Sequence, residues 1–380
     1  MIQFDYRKIR KEFKKLGLPE GLFNPCECPL ESNKYFIICT ERASGKTTNV
    51  LLLGLLLYKM YGCVTQYIRQ YDEMLAPKNM RNLFDVIIQN GYIEKLTEGK
   101  YNTILYKARR WYYARVENEE VKEQSTEACV VCLSIQSDDV YRSTYNAPLG
   151  DFIVFDEFCS RRHIQDEFIL YSDLLSTIIR TRSNPIIFML GNTLDRYEYY
   201  FDELEIAEHM RYIQIGDSMS INTAKGTPIY IEIFAPNKKE KKSLVNKLFF
   251  GFKNSKLNSI TGDDWLIVPY QHVDGSDLRE ILDNRHYVVY EGETLQIDVC
   301  HSEKYGVHCV IHRSTNLDKE DAIIYTTDKL NDIRYHFRFG YSKVDKMIWT
   351  LYDRNKFFYA TNACASIMNK YIDRAEKITP

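Results

Sequence analysis

Two short stretches hold residues whose types and spacing can do chemistry together. The first is Gly45-Lys46-Thr47, inside Tyr35–Val50, which reads YFIICTERASGKTTNV. Such a glycine lets the backbone approach an anion, the lysine reaches the β- and γ-phosphates of a nucleotide, and the threonine hydroxyl ligates Mg2+. The second is Asp156-Glu157, in Asp151–Phe158, which reads DFIVFDEF. A first acid at such a strand end holds Mg2+ directly or through water, and the next orients the attacking water. Each alone has a plainer reading, an accidental tripeptide or a strand ending in two solvated acids. Together they meet the needs of ATP hydrolysis, with Lys46 and Glu157 as catalytic residues and Thr47 and Asp156 as metal ligands.

Positioning these groups takes a strand, a tight loop and a helix. Tyr35–Cys39 is an apolar run expected as a buried strand, Thr40–Thr48 is mostly small and polar, and Val50–Leu57 is long enough for a helix. The loop N–H groups then converge on a phosphate, and the helix N-terminus adds a favourable dipole. The nucleotide contacts are thus expected from Thr40, Glu41, Arg42, Ala43, Ser44, Gly45, Lys46, Thr47 and Thr48. Thr40 stands where the pattern G-x-x-x-x-G-K-[ST] has its first glycine, so a wider first turn is expected. Phe152–Phe155 is a second buried strand, delivering the two acids.

Val64–Arg69, Tyr101–Tyr106, Trp111–Val116, Glu127–Ile135, Pro185–Leu190 and Pro228–Phe234 also read as strands. A helix opens at Pro77, with Met80, Phe84, Ile87 and Ile88 on its apolar face, and stops near Gly91; Tyr171–Arg182 has helical spacing. Apolar strands alternating with helices argue for an α/β parallel sheet wrapped by helices. Further on, Tyr287–Tyr290, Thr294–His301, Gly306–Arg313, Ala322–Thr326 and Met347–Tyr352 read as strands, and Thr361–Lys377 as a terminal helix.

A length of 380 residues predicts two domains, or one with an appendage. The apolar run Val50–Leu57 is too short for a membrane span, and the basic N-terminus has no apolar region after it, so it is not a secretory signal. Its Ile2, Tyr6, Ile9, Phe13 and Leu16 suit one face of an amphipathic helix. Ten scattered cysteines fit a reducing compartment, which predicts a cytosolic protein. The formal charge of −2 hides a basic island: Ala235–Asn258 carries seven lysines, among them Lys238, Lys239, Lys241 and Lys242, against one acid, Glu240. That pattern fits either a polyanionic partner such as nucleic acid or a solvated face.

The motifs ERASGKTTN, QYIRQYDE, NAPLGDFIVFDEF, LLSTIIRTR and PIIFMLGNT together resemble the DNA-packaging ATPases of small, protein-primed tailed phages, relatives of the large terminase subunits. The likeness runs through most of the chain and weakens after about Tyr230. It implies a P-loop NTPase domain of the additional-strand catalytic-glutamate type over residues 1–234 and a short basic linker domain over 235–264. A C-terminal RNase H-like domain, the terminase nuclease fold, would follow over 265–380. It also implies a ring motor, usually a pentamer, on the portal of a procapsid in the host cytoplasm. Double-stranded DNA is the implied cargo, ATP and Mg2+ are implied at the site, and a packaging RNA is an implied partner in close relatives. Carried over by position, Arg180 falls at the trans-acting arginine finger and Asn192 in the coupling motif, and Arg42 matches a loop arginine. From the residues alone, Arg180, Arg182 and Arg142 remain alternatives for the finger. A helicase or another ring ATPase shares the same phosphate chemistry.

Other chemistry-bearing residues have structural readings. Cys129 and Cys132 form a CxxC inside a strand, where residues three apart face opposite sides, and read as core. Cys300, His301, His308, Cys309 and His312 could meet across two strands as a zinc set, although they alternate along those strands. A metal-dependent nuclease needs several converging acids. The first C-terminal strand, HYVVY, has none in its middle; Glu291 and Asp298 are nearest, so the domain reads as a vestigial nuclease without cleavage.

Overall fold

The apolar run after Lys34 forms β1 (Tyr35–Thr40), buried from Phe36 onward. In the computed structural model it lies inside a ten-stranded sheet, with the chain dividing into two units, Met1–Leu266 and Ile267–Pro380. The structure describes residues 2–40, 44–136, 150–159, 164, 167–180, 184–192, 199–235, 270–273, 278–290, 292–314, 321–326, 335–336 and 343–377.

In the first unit β2 (Thr65–Arg69), β6 (Val130–Ser134), β7 (Phe152–Asp156), β8 (Ile186–Asn192) and β10 (Pro228–Phe234) join β1 in a parallel core. Its order is β6-β2-β7-β8-β1-β10. Antiparallel strands extend both edges: β3 (Thr103–Lys107), β4 (Arg110–Glu117) and β5 (Glu120–Gln124) beside β6, and β9 (Ser218–Asn222) on β10. The core strands are apolar on both faces because both are covered. Phe36, Ile38, Val154 and Phe188 pack toward α1 (Tyr6–Leu16), α2 (Lys46–Tyr61) and the short helices α3 (Pro77–Met80), α4 (Asp85–Gln89) and α5 (Tyr92–Thr97). Ile37, Ile153, Phe155 and Met189 pack toward α6 (Glu167–Ile179), α7 (Tyr199–Glu203) and α8 (Ala207–Tyr212).

The amphipathic N-terminal stretch is α1, capped by the Asp5 side chain and closed by Gly17. The single helix expected after Pro77 is instead α3 and α4, with α5 beyond Gly91; the bend buries Met80, Phe84 and Ile87 in one core, Phe84 edge-on to Trp111. Cys129 and Cys132 are buried. No helix among the described residues is long and apolar enough to cross a membrane.

The second unit has a six-stranded sheet of order β15-β14-β11-β12-β13-β16. Strands β11 (Arg279–Tyr290), β12 (Glu293–Ser302) and β13 (Gly306–Arg313) form an antiparallel meander. β14 (Ile323–Thr326) runs parallel to β11, β15 (Tyr335–His336) to β14, and β16 (Phe357–Tyr359) to β13. Helices α9 (Lys343–Asp353) and α10 (Asn362–Lys377) pack on one face over Val288, Ile297 and Ile311. The strand expected over Met347–Tyr352 is therefore part of α9, whose Ile348 and Leu351 are buried at helical spacing.

Strand β11 starts earlier than HYVVY and so carries an acid, Asp283. A chain of polar groups is buried beneath α9. His286 Nδ1 lies 2.7 Å from the Tyr325 hydroxyl, which donates to Asp345 Oδ1 at 2.6 Å, while His286 Nε2 is 3.5 Å from Asp283 Oδ2. Burial pushes the His286 pKa below 6.5; Asp283 and Asp345 oppose this, Arg285 assists it, and burial prevails.

Two outcomes follow. Gly54 lies inside α2, and a Cβ there would come 2.3 Å from Thr65 Oγ1 and 3.1 Å from the Phe152 ring. Gly54→Ala gains ~1 kcal/mol of helix propensity. Overpacking costs typically about 1–3 kcal/mol, so chemical denaturation should find the variant less stable. His286 contributes stability as a neutral group. That contribution is complete above its unfolded pKa of 6.5 and is lost as pH falls toward the lower folded value. Amide exchange in β11 and β12 should quicken from pH 7 to 5 beyond the intrinsic rate change, and His286→Gln should flatten the response.

Candidate functional site

The C-terminal ends of β1, β2, β7 and β8 bring the site together. At β1 the Thr40 hydroxyl and the Ser44 hydroxyl are 2.6 Å apart, so the residue in the glycine's place ties the two ends of the loop. Glu41, Arg42 and Ala43, and with them the expected wider turn, lie outside the described residues. Behind the loop Phe23 N–H donates to Ser44 O and Asn49 Nδ2 to Phe23 O. Gly45 has φ +79°, and a Cβ there would press on Asn49 and Leu22 at 3.2–3.3 Å. Only glycine meets both demands cheaply. The first helical hydrogen bond is Asn49 N–H to Gly45 O, which leaves the N–H groups of Gly45, Lys46, Thr47 and Thr48 without intrahelical acceptors.

Lys46 is buried, and its ammonium donates to Asn192 Oδ1 at 2.7 Å. Burial pushes its pKa down, with Asp156 and Glu157 offsetting part of that. A buried ammonium held by a neutral amide at a helix N-terminus is arranged to meet an anion. The Thr47 hydroxyl donates to Asp156 Oδ1 at 2.9 Å. This pair of hard oxygens suits Mg2+, which takes few protein ligands and keeps its other positions for water and phosphate oxygens.

Asp156 Oδ2 accepts from Tyr67 OH at 2.7 Å and Arg69 NH1 at 2.9 Å, and Arg69 NH2 reaches Glu157 Oε2 at 2.5 Å. One guanidinium therefore forks across both carboxylates. Burial works against the Arg69 charge, but Tyr67, Asp156 and Glu157 outweigh it and raise its pKa. Beside it lies a cavity of about 330 Å³ whose lining includes Met74, Asn79, Met80 and Leu83. The sequence placed Arg69 at a strand end without a role. Only the non-local pairing of β2 with β7 brings it to the acids.

Glu157 has φ +56°, a left-handed conformation that costs a non-glycine residue roughly 1–2 kcal/mol. Its side chain is half-exposed, beyond the last residue of β7. Asn192 ends β8, and Gly191 before it has no room for a Cβ, which would meet Cys159 Sγ at 2.9 Å and the Phe158 ring at 3.0 Å. Arg180 is exposed just past α6, with φ +42°; Arg182, Arg142 and Lys238, Lys239, Lys241 and Lys242 lie outside the described residues. The described bonds thus bring Lys46, Thr47, Asp156, Glu157 and Asn192 into one site.

In the second unit, β-sheet alternation splits the expected zinc set between two faces, with Cys300, His308 and His312 on one and His301 and Cys309 on the other. Cys300 pairs with His308, while Cys309 pairs with Val299 on the helix-covered face. No three His, Cys, Asp or Glu residues among those described could hold a metal ion. Asp283 is tied to Arg285, which holds its carboxyl down at about 2 against the opposing effect of burial. Asp298 is tied to Gln296 and His312. Glu291 lies outside the described residues.

No protein-family model matches the sequence, and comparison with curated proteins finds no match. Solved structures are similar. A chain of the Phi-28 gp11 DNA packaging motor aligns over 95% of this chain and 100% of its own, at 15% identity and a TM-score of 0.57. A chain of the bacteriophage Phi-29 viral genome packaging motor assembly aligns over 93% and 99%, at 18% identity and a TM-score of 0.56. The chain has the fold of these two packaging-motor chains.

Arg69→Leu leaves Asp156 and Glu157 without their guanidinium. Removing one partner of a buried pair costs about 3–5 kcal/mol, so urea denaturation of the nucleotide-free variant should show a loss of that order. Arg69→Lys keeps the charge without the fork and should fall between. Wild-type stability in Arg69→Leu would contradict the counter-ion role.

Proposed function

We propose that the chain is an ATP-hydrolysing ring motor, a pentamer of the P-loop additional-strand catalytic-glutamate type, that drives double-stranded DNA into a procapsid through its portal. The observation that carries the reading is the convergence of Lys46, Thr47, Asp156, Glu157 and Asn192 at one end of the parallel core. The fold shared with two phage packaging motors supports the choice of substrate.

In this reading the α2 N-terminus and Lys46 bind the β- and γ-phosphates, with Lys46 leaving Asn192 to do so. Asn192 thereby senses whether phosphate is present, which is the coupling role. Thr47 and Asp156 would hold Mg2+, which when bound would neutralise charge on the phosphate oxygens. Glu157 orients the attacking water once Arg69 releases it, and the cavity beside Arg69 gives the guanidinium somewhere to go. Phosphoryl transfer develops charge that an arginine from a neighbouring subunit can neutralise, worth about 10³–10⁵ in rate. Arg180 is assigned that part.

The remaining assignments are proposals of the same kind. Residues 1–234 form the ATPase domain. Residues 235–264, with Lys238, Lys239, Lys241 and Lys242, form a basic linker contacting DNA or a packaging RNA. Residues 265–380 form a vestigial RNase H-like domain, a reading supported by three antiparallel strands followed by two parallel to the first.

Double-stranded DNA with procapsids should stimulate ATP hydrolysis; stimulation by single strands only, or by neither, would contradict the packaging reading. Arg180→Ala rings should bind ATP without hydrolysing it. Mixed with Glu157→Gln subunits they should regain part of the activity, because some interfaces then join an intact Glu157 to an intact Arg180. No activity at any ratio in confirmed mixed rings, tested by single-turnover hydrolysis, would rule out Arg180 acting in trans.

A further inference from the structure

Glu157 holds a left-handed backbone that its residue type disfavours, and such strain persists where the surroundings over-determine it. On the Asp156 side the restraints are the bonds from Thr47, Tyr67 and Arg69. On the other side they all act on Phe158. Its N–H donates to Leu190 O at 3.2 Å, and its ring lies against Gly191, where a Cβ would be 3.0 Å away. Its carbonyl accepts from Gln70 Nε2 at 3.4 Å, and the Tyr200 ring meets it edge-on with centroids 5.7 Å apart.

Gln70 and Tyr200 share one acceptor. Glu167 Oε1 receives Gln70 Nε2 at 2.8 Å and the Tyr200 hydroxyl at 2.9 Å, while its Oε2 receives the Ile164 N–H at 3.0 Å. Glu167 is buried, 1% exposed, and no cation among the described residues pairs with it. Its acceptor role fixes Gln70, since the opposite amide orientation would set two oxygens together. Nothing in the hydrolytic chemistry calls for this acid. A buried carboxyl is costly, and here it aligns the two side chains that clamp the residue after Glu157.

We propose that Glu167 is a positioning residue for the hydrolytic carboxylate: through Gln70 and Tyr200 it holds Phe158, and with it the left-handed turn that aims Glu157 at the attacking water. The inference rests on the hydrolytic role of Glu157. Nucleotide binding by Lys46 and Thr47 does not pass through this network, so turnover and affinity should separate.

The test compares Glu167→Leu, Gln70→Leu and Glu167→Gln with wild type for kcat and for nucleotide affinity. A misplacement near 1 Å costs on the order of 100-fold in rate, so both leucine variants should lose about that in kcat. Their nucleotide affinity should stay within about twofold, the signature of an interaction lost from the transition state alone. Glu167→Gln keeps an acceptor for Gln70 and Tyr200 and should remain within about threefold of wild-type kcat. If Glu167→Leu does not fold, the other two variants carry the same test. Wild-type kcat in folded leucine variants overturns the proposal while the hydrolytic reading stands. So does affinity falling in step with kcat, or Glu167→Gln as slow as the leucine variants. If wild type hydrolyses no ATP, the failure lies in the hydrolytic reading, and this proposal falls with it.

Discussion

Two carboxylates one residue apart, one of them buried, need a cation close by. Asp156 and Glu157 share one in Arg69, and the geometry of the site depends on that pairing. Desolvating a carboxylate costs several kcal/mol, on the order of a small domain's whole stability, unless charge and hydrogen bonds answer it. Asp156 receives three donors, from Thr47, Tyr67 and Arg69, and two elements supply them. Thr47 comes from the first turn of α2, and Tyr67 and Arg69 from alternate positions on β2. The order β2-β7-β8-β1 follows from the need to place these groups together. With β8 between β7 and β1, Asn192 stands between the acids and the Gly45-Lys46-Thr47 turn, close enough to hold Lys46.

In the proposed function, several bonds of this site are ones that phosphate and metal would rearrange. Lys46 is held by a neutral amide, Thr47 by the acid that would share its metal, and Glu157 by a guanidinium with a cavity beside it. Each bond closes one polar group against another, and in that reading each would be replaced when nucleotide and metal bind. Strain is held at the same place, in the positive φ of Glu157. The surroundings that hold it are α2, whose Val50–Leu57 stretch is apolar and buried on all sides, and the aromatic cluster of Phe155, Phe158, Tyr171 and Tyr200.

Much of this was legible in the sequence because it is local. A strand, a polar loop and a helix around Gly45-Lys46-Thr47, and an apolar strand ending in Asp156-Glu157, are written in consecutive residues. Hidden features depend on pairing between distant segments. Arg69 and Tyr67 acquire roles only when β2 pairs with β7, and Gln70 meets Glu167 across 97 residues. Apolar periodicity misread Met347–Tyr352 as a strand because Met, Ile, Trp, Leu and Tyr satisfy either period over six residues. It ran one helix through Arg81–Phe84 because the bend there carries no proline. Starting the first C-terminal strand at His286 also missed Asp283, which lies among polar residues in a bulged stretch of β11.

The central claim is that Asp156 joins Thr47 in holding the metal of a hydrolysed nucleotide. Its most direct test is phosphate release from ATP as a function of Mg2+ concentration, for wild type and Asp156→Asn. The amide keeps the size and one acceptor but not the charge. The account predicts Mg2+-dependent hydrolysis in wild type. In Asp156→Asn it predicts hydrolysis abolished or moved to far higher Mg2+, with the protein still folded. A wild-type rate in Asp156→Asn at the same Mg2+ would contradict it.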